Sequence, residues 1–265
     1  MGIRVAVAGA AGRMGREVVR AVLGVEDMEL SAAVDHVQLT ADAGVVAGAL
    51  ATGILIENEL GSALVRTKTD VLVDFTIPAC AMENIHAAVS VGVATVVGTT
   101  GLTAADLSQI GQWSRDFDTP VFVAPNFAIG AVLMMLFAQQ AAKYLPDVEI
   151  IELHHDRKVD SPSGTALRTA ELIRDGRTRD GVEAPAGLVE KVEGARGAEF
   201  GGVHIHSVRL PGHVAHQQVI FGGLGETLTV RHDSFDRVSF MSGVLLAVRK
   251  VRGESGVVVG LENLL

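Results

Sequence analysis

The chain carries one cysteine, Cys80, in 265 residues. A single thiol cannot close an intrachain disulfide, so the fold must hold without covalent staples, and a reducing cytoplasm is the expected setting. Long apolar runs are also missing. Although 48% of the residues are hydrophobic, every run is short and interrupted, so no membrane-spanning helix is expected. Met1-Gly2-Ile3-Arg4-Val5 leads directly into a strand-like run without a signal-peptide pattern. Positive charge is scarce: 22 Lys and Arg face 31 Asp and Glu, for a formal charge of −9. Nucleic-acid phosphates demand a basic face, so nucleic acid is not an expected partner. An anionic ligand would have to be gripped by local positive groups against the overall field.

What the chain has in quantity is glycine, 30 residues, as expected of an α/β protein with many tight strand-to-helix turns. Its length allows one large core or two modest ones. Residues 3–8 form a near-continuous apolar run suited to a buried parallel strand. Gly9-Ala10-Ala11-Gly12-Arg13-Met14-Gly15 follows, and then a helical pattern through Val18, Val19 and Val22. Strand, glycine turn and helix are the context a dinucleotide requires. Gly9 permits the sharp turn, Gly12 lets a pyrophosphate reach the backbone, and Gly15 allows close helix packing. A second strand, 28–34, ends at Asp35, near the distance at which an acidic residue meets the adenosine ribose. Glycine turns occur for packing alone in many proteins, but these flanking elements favour the nucleotide reading.

Further buried strands are expected at 70–75, 94–97 and 121–124. Each ends in small or polar residues: Thr76-Ile77-Pro78, Gly98-Thr99-Thr100-Gly101, and Ala124-Pro125-Asn126-Phe127. Ligands of open α/β sheets bind at that edge. The Met- and Leu-rich helix expected over 130–144 reads as core packing. Strands at 148–154, 202–209, 216–221 and 226–232 suggest an antiparallel or mixed sheet. Residues 176–201 read as an irregular loop, and a helix is expected at 242–250, before the closing residues 256–265. The expected fold class is therefore α/β: a Rossmann-type parallel-sheet domain, 1–127, and an α+β domain on a mixed sheet, 128–239.

Chemistry concentrates in residues 149–167, Glu-Ile-Ile-Glu-Leu-His-His-Asp-Arg-Lys-Val-Asp-Ser-Pro-Ser-Gly-Thr-Ala-Leu. His154 and His155 can exchange protons near neutral pH. Lys158 offers a compact positive charge and a transferable proton. Ser163-Gly164-Thr165 opens a helix whose backbone N–H groups make a seat for a carboxylate. A histidine pair alone is commonly a surface feature, and Pro-Ser-Gly-Thr alone is commonly a helix cap; their meeting in one segment with Lys158 points to a catalytic loop. Arg157 could add positive potential or be a solvated surface charge. His204, His206, His213, His216 and His232 invite a metal reading, but no cysteine or acidic residue at ligand spacing completes a site, so no metal is expected.

The string Glu149, Ile150, Glu152, His154, Lys158, Asp160, Pro162, Ser163, Gly164, Thr165, Ala166 resembles the signature of the 4-hydroxy-tetrahydrodipicolinate (dihydrodipicolinate) reductases. The GxxGxxG spacing of the first turn is similar to that family's variant of the dinucleotide motif. The resemblance implies NAD(P)H-dependent reduction of a cyclic dicarboxylate imine in the diaminopimelate route to lysine. It implies His154 and Lys158 as proton donors and His155 as a substrate contact, with Gly164 and Thr165 on a substrate carboxylate. It also implies that Gly98–Thr100 and Ala124–Phe127 wrap the nicotinamide and its ribose, that residues 240–265 return to complete the first domain, and that four copies assemble through the second domain's sheet. Family members often have arginine after the acidic ribose position, where this chain has His36; with Arg13 able to reach a phosphate, both NADH and NADPH are expected to serve. Two rivals stand beside this reading: another Rossmann dehydrogenase acting on an amino acid or aldehyde, and a nucleotide-sensing protein without turnover. The 149–166 string speaks against the first, and the His/Lys pair beside an anion seat against the second.

Overall fold

A computed structural model describes residues 2–178 and 189–265. The chain divides into two compact units, Met1–Ile129 with Arg237–Leu265, and Gly130–Asp236. Chain order begins β1 (Ile3–Ala8), α1 (Arg13–Leu23), β2 (Met28–Val34), α2 (Ala43–Ala47), β3 (Ile56–Glu57), α3 (Leu60–Thr67) and β4 (Val71–Asp74). It continues α4 (Pro78–Val89), β5 (Ala94–Val97), α5 (Ala104–Asp116), β6 (Val121–Val123), α6 (Ile129–Ala141), β7 (Asp147–His154) and α7 (Gly164–Gly176). Then come β8 (Ala198–Phe200), β9 (Val203–Arg209), β10 (Ala215–Gly223), β11 (Glu226–Ser234), α8 (Met241–Lys250) and β12 (Val257–Val259).

In the first unit seven strands form one sheet in the order β12-β6-β5-β4-β1-β2-β3, every pair parallel. This is the doubly wound arrangement of a Rossmann domain, extended by one strand from the end of the chain. Every residue of β4, β5 and β6 is buried, as expected of strands covered on both faces. Helix α1 forms because Gly15, Val18, Val19 and Val22 recur at helical spacing and are all buried. Pro78 starts α4 at a position where its missing N–H costs nothing. A Thr103–Asp106 capping box starts α5.

The second unit carries a mixed sheet, order β11-β10-β7-β9-β8, in which only β7 and β9 are parallel. Alternation along β7 turns Val148, Ile150 and Glu152 inward. The first two are the apolar residues such a face requires, and the third is a carboxylate. Helix α7 buries Ala166, Thr169, Ala170 and Ile173, and its Thr169 Oγ1 accepts a 2.7 Å hydrogen bond from Gln217 Nε2 on β10. The Met-rich α6 buries Val132, Met134 and Met135, as core packing demands. The expected loop over 176–201 lies partly outside the described residues, at 179–188, and its described end holds the short strand β8 instead of irregular chain. No helix among the described residues is long and apolar enough to cross a membrane.

Candidate active site

The carboxyl ends of β1, β2, β4, β5 and β6 bring the expected nucleotide residues to one sheet edge. At the β1 end Gly9 has φ +77°, and its amide and that of Ala10 donate to the Val34 carbonyl of β2 at 2.9 and 3.2 Å. A Cβ on Gly9 would lie 2.7 Å from the Phe75 carbonyl oxygen, and one on Gly15 would collide with the Gly9 carbonyl itself. Both glycines are therefore required by the protein's own backbone. Gly12 differs: it is exposed, and its Cβ would meet only the Gly9 oxygen, at 3.1 Å. It caps α1 without a side-chain hydrogen bond, and the first turn, with Arg13 and Met14, carries no acidic residue. The helix thus presents an uncapped positive end beside an open glycine, a seat suited to a pyrophosphate.

Asp35 has a structural task that the sequence did not disclose. Its Oδ2 accepts from the Ala11 amide at 2.9 Å, and its Oδ1 from the His36 and Val37 amides at 2.7 and 3.2 Å. The carboxylate ties the glycine turn to the end of β2, so the loop is preformed. Both His36 and Arg13 are exposed.

The turns after β4 and β5 are joined by Asp74, a fully buried residue that sequence reasoning passed over as part of a strand. Its Oδ1 accepts from Thr76 N, Thr76 Oγ1 and Thr99 Oγ1 at 3.0, 2.8 and 2.8 Å. Its Oδ2 accepts from Asn84 Nδ2 at 2.7 Å. The available signal was an acidic residue closing an otherwise apolar strand. Gly98 turns beside it where a Cβ would run into the Phe75 ring, and Thr100 is exposed. After β6, Ala124 and Phe127 are buried, Pro125 is exposed, and Asn126 Oδ1 accepts from Ala128 N at 2.9 Å.

In the second unit the expected catalytic segment leaves β7 at His154 and returns to helix at Gly164. Buried Glu152 supports it from beneath. Arg209, from the adjacent strand β9, grips the carboxylate with two parallel bonds, Nη1 to Oε2 at 2.8 Å and Nη2 to Oε1 at 2.7 Å. Arg209 Nη2 also reaches the Asp160 carbonyl at 2.7 Å. The same carboxylate accepts from the Ser163 amide at 3.2 Å and stands 2.5 Å from His154 Nδ1. Burial would push the Glu152 carboxyl up, but hydrogen bonds from His154, Arg209 and Ser207 outweigh it and hold the group down at about 2. Strand β7, the loop and the start of α7 thus share one buried ion pair. Glu152 was visible as part of the motif; Arg209 gave no local signal.

Lys158 Nζ donates to both oxygens of Asp160, at 2.7 and 2.8 Å. That ammonium holds the Asp160 carboxyl below the usual carboxylate range. Arg157 is exposed, and among the described residues His155 Nδ1 is buried without a hydrogen-bond partner. Ser163 Oγ caps α7 by accepting from Ala166 N at 3.2 Å, and no acidic residue occupies the first turn. Gly164 is exposed, and a Cβ there would meet nothing within 4 Å. Thr165 follows, half-buried.

Two of the remaining histidines pair with carboxylates of their own sheet. His206 Nε2 lies 2.8 Å from Glu149 Oε2, and the buried His216 holds Asp233 Oδ1 at 2.7 Å through Nδ1. Burial pushes the His232 imidazole down. Among the described residues no three His, Cys, Asp or Glu gather in a metal-holding group.

Comparison with known proteins bears on both units. Residues 3–127 match the family model for the N-terminus of dihydrodipicolinate reductase, and residues 130–265 match the model for its C-terminus. The chain is 52% identical over 264 residues to a 4-hydroxy-tetrahydrodipicolinate reductase of Desulfitobacterium hafniense, covering 99% of this chain and 98% of the relative. It is 50% identical to the enzyme of that name from Moorella thermoacetica, with the same coverage. A dipicolinate-bound dihydrodipicolinate reductase from Paenisporosarcina sp. TG-14 superposes with a TM-score of 0.89, at 45% identity and full coverage of both chains.

Proposed function

The chain belongs to the dihydrodipicolinate reductase family, and from that membership we propose how its two units share the reaction. The enzyme is an NAD(P)H-dependent oxidoreductase that reduces 4-hydroxy-tetrahydrodipicolinate to tetrahydrodipicolinate in the diaminopimelate route to lysine. The first unit holds the pyridine nucleotide and the second the dicarboxylate. The observation that carries this division is the loop after β7, where His154, Lys158 and an acid-free helix start follow one another above a single buried Glu152–Arg209 pair.

The residues present at the first sheet edge fit a dinucleotide. Open Gly12 and the uncapped start of α1 suit the pyrophosphate. Asp35 suits the ribose hydroxyls. The turns Gly98–Thr100 and Ala124–Phe127 close around the nicotinamide end. When bound, the reduced nicotinamide supplies a hydride. No arginine follows Asp35, and His36 leaves the adenosine ribose open on that side; this supports use of both NADH and NADPH.

Reduction of a C=N or conjugated C=C bond also needs a proton delivered opposite the hydride. His154 and Lys158 supply and manage that proton. His155, whose Nδ1 is buried without a partner among the described residues, contacts the substrate. Gly164 and Thr165 hold one carboxylate at the positive end of α7. Assembly of four copies through the second unit's sheet and a cytoplasmic location complete the reading; family membership supports the first, and the single cysteine the second.

A spectrophotometric assay of NADH and NADPH oxidation with freshly generated 4-hydroxy-tetrahydrodipicolinate tests it. Oxidation of both nucleotides is expected. Oxidation of neither would overturn the reading.

A further inference from the structure

Glu152 occupies an inward position of β7 where Val148 and Ile150 set an apolar pattern. A buried carboxylate is costly unless it is paired and fully hydrogen-bonded. Arg209 provides the pair, and Ser163 N a further donor. All these groups donate, and the carboxylate, held near the bottom of the pH scale, only accepts. The ring nitrogen it faces at 2.5 Å, His154 Nδ1, must therefore carry a hydrogen. A neutral imidazole has only one N–H, so the other nitrogen, Nε2, becomes the atom that gains and loses a proton.

We propose that Glu152, clamped by Arg209, is a positioning residue that fixes the Nδ1–H tautomer of His154 and so makes Nε2 the atom that delivers the reaction's proton. The proposal rests on the reductase reading above. In the step itself the Nε2–H bond of the imidazolium breaks, the proton passes to the substrate, and the neutral ring keeps its Nδ1–H on Glu152. Charged groups reach the ring from its own strand through Glu152, and from β9 through Arg209, the register partner of His154. The β10 partner at that position, Ala215, brings no charge. Losing the carboxylate would thus leave Arg209 as the dominant charge beside the ring, and the imidazolium would become harder to form.

Two measurements test this. In Glu152→Gln, kcat should fall by about 10²-fold or more while the affinity for NADH and NADPH, held by the other unit, stays unchanged. The alkaline limb of the kcat–pH profile, where the imidazolium loses its proton, should move to lower pH, a displacement that mere loosening of the loop would not produce. An unmoved profile with lowered or unchanged kcat would overturn the proposal. Because Glu152→Gln also unpairs a buried arginine and could fail to fold, the second measurement uses the unaltered enzyme. Long-range ¹H–¹⁵N spectra of its histidine rings, with His154 assigned by its loss in His154→Gln, should show neutral His154 protonated at Nδ1. Protonation at Nε2 would overturn the proposal. The ring spectrum needs no turnover, so failure of the reductase reading, seen as no oxidation by the unaltered enzyme, is distinguishable from failure of the tautomer assignment.

Discussion

Thr99 Oγ1 donates a 2.8 Å hydrogen bond to Asp74 Oδ1, and both residues are buried where the neighbouring parallel strands β4 and β5 end. Thr99 Oγ1 in turn accepts from the Thr76 amide at 2.8 Å. The Gly98–Thr100 turn, expected to face the nicotinamide, and the turn after β4 are therefore one hydrogen-bonded assembly around a single carboxylate. Asp74→Ala removes the acceptor that Thr76 Oγ1, Thr99 Oγ1 and Asn84 Nδ2 share, and a buried polar group left unpaired, such as the Thr99 hydroxyl, costs about 1–3 kcal/mol. The variant should unfold about 2–5 kcal/mol more easily in urea and bind NADH more weakly by fluorescence titration. Asp74→Asn should recover most of both, because the Asn84 amide can turn over and accept from the new side chain. Equal stability of Asp74→Ala and the unaltered protein would refute the assembly.

The pattern of what could be read in advance follows from sequence distance. The β1–Gly9–α1 turn was legible because strand, glycines and the Val18, Val19, Val22 stripe are contiguous and each has its own local signature. The 149–166 segment was legible for the same reason. Asp74 meets Thr99 across 25 residues and Glu152 meets Arg209 across 57, so neither partnership leaves a periodic trace. The two-residue β3, the five-residue α2 and the exposed three-residue β8 are too short for any alternation to declare itself. Asp35 was read for the ribose, and its bond to the Ala11 amide depended on a loop conformation that only the fold supplies.

Lys158 is the group whose loss should separate chemistry from stability. Its partner Asp160 is mostly exposed, 57% by side chain, and such pairs contribute at most about 1 kcal/mol. Lys158→Ala should therefore keep its fold and its nucleotide affinity while kcat drops by about 10²-fold or more. Unchanged turnover would remove Lys158 from the mechanism.

Gly164 gives a complementary test of the carboxylate seat. A Cβ there meets nothing within 4 Å, and the residue begins α7. Alanine costs less backbone entropy than glycine in a helix, so Gly164→Ala should match or exceed the unaltered protein in thermal stability. On the proposed seat, a methyl group at residue 164 should raise KM for the dicarboxylate by about tenfold, equivalent to about 1.4 kcal/mol. An unaltered KM would place the carboxylate elsewhere.

On the proposed nucleotide reading, cofactor choice turns on the residue after Asp35. Both oxygens of Asp35 are engaged by backbone amides, and His36 beside it is exposed. His36→Arg places a permanent cation next to the ribose site without disturbing those bonds. A charge-assisted bond to a 2′-phosphate is worth about 1.5–3 kcal/mol. The ratio of kcat/KM for NADPH over NADH should rise by about tenfold or more. No change in that ratio would mean that the 2′-position lies away from residue 36.

Acid should weaken the second unit through Glu152. Its carboxyl titrates at about 2 in the folded chain, against an ordinary value of 4.5. A depressed folded value means that the ionised form stabilises the fold. That contribution is complete above the ordinary value and is lost as pH falls from about 4.5 toward 2. At about 1.4 kcal/mol per unit, the whole is roughly 3 kcal/mol. Urea unfolding followed by circular dichroism, run from about pH 7 to about pH 3, should show the unaltered protein losing stability faster than Glu152→Gln below about pH 4.5. The gap between the two should narrow as the carboxylate takes up its proton. A gap that stays constant down to the lowest pH would mean that the ion pair with Arg209 does not govern the acid limit of this unit.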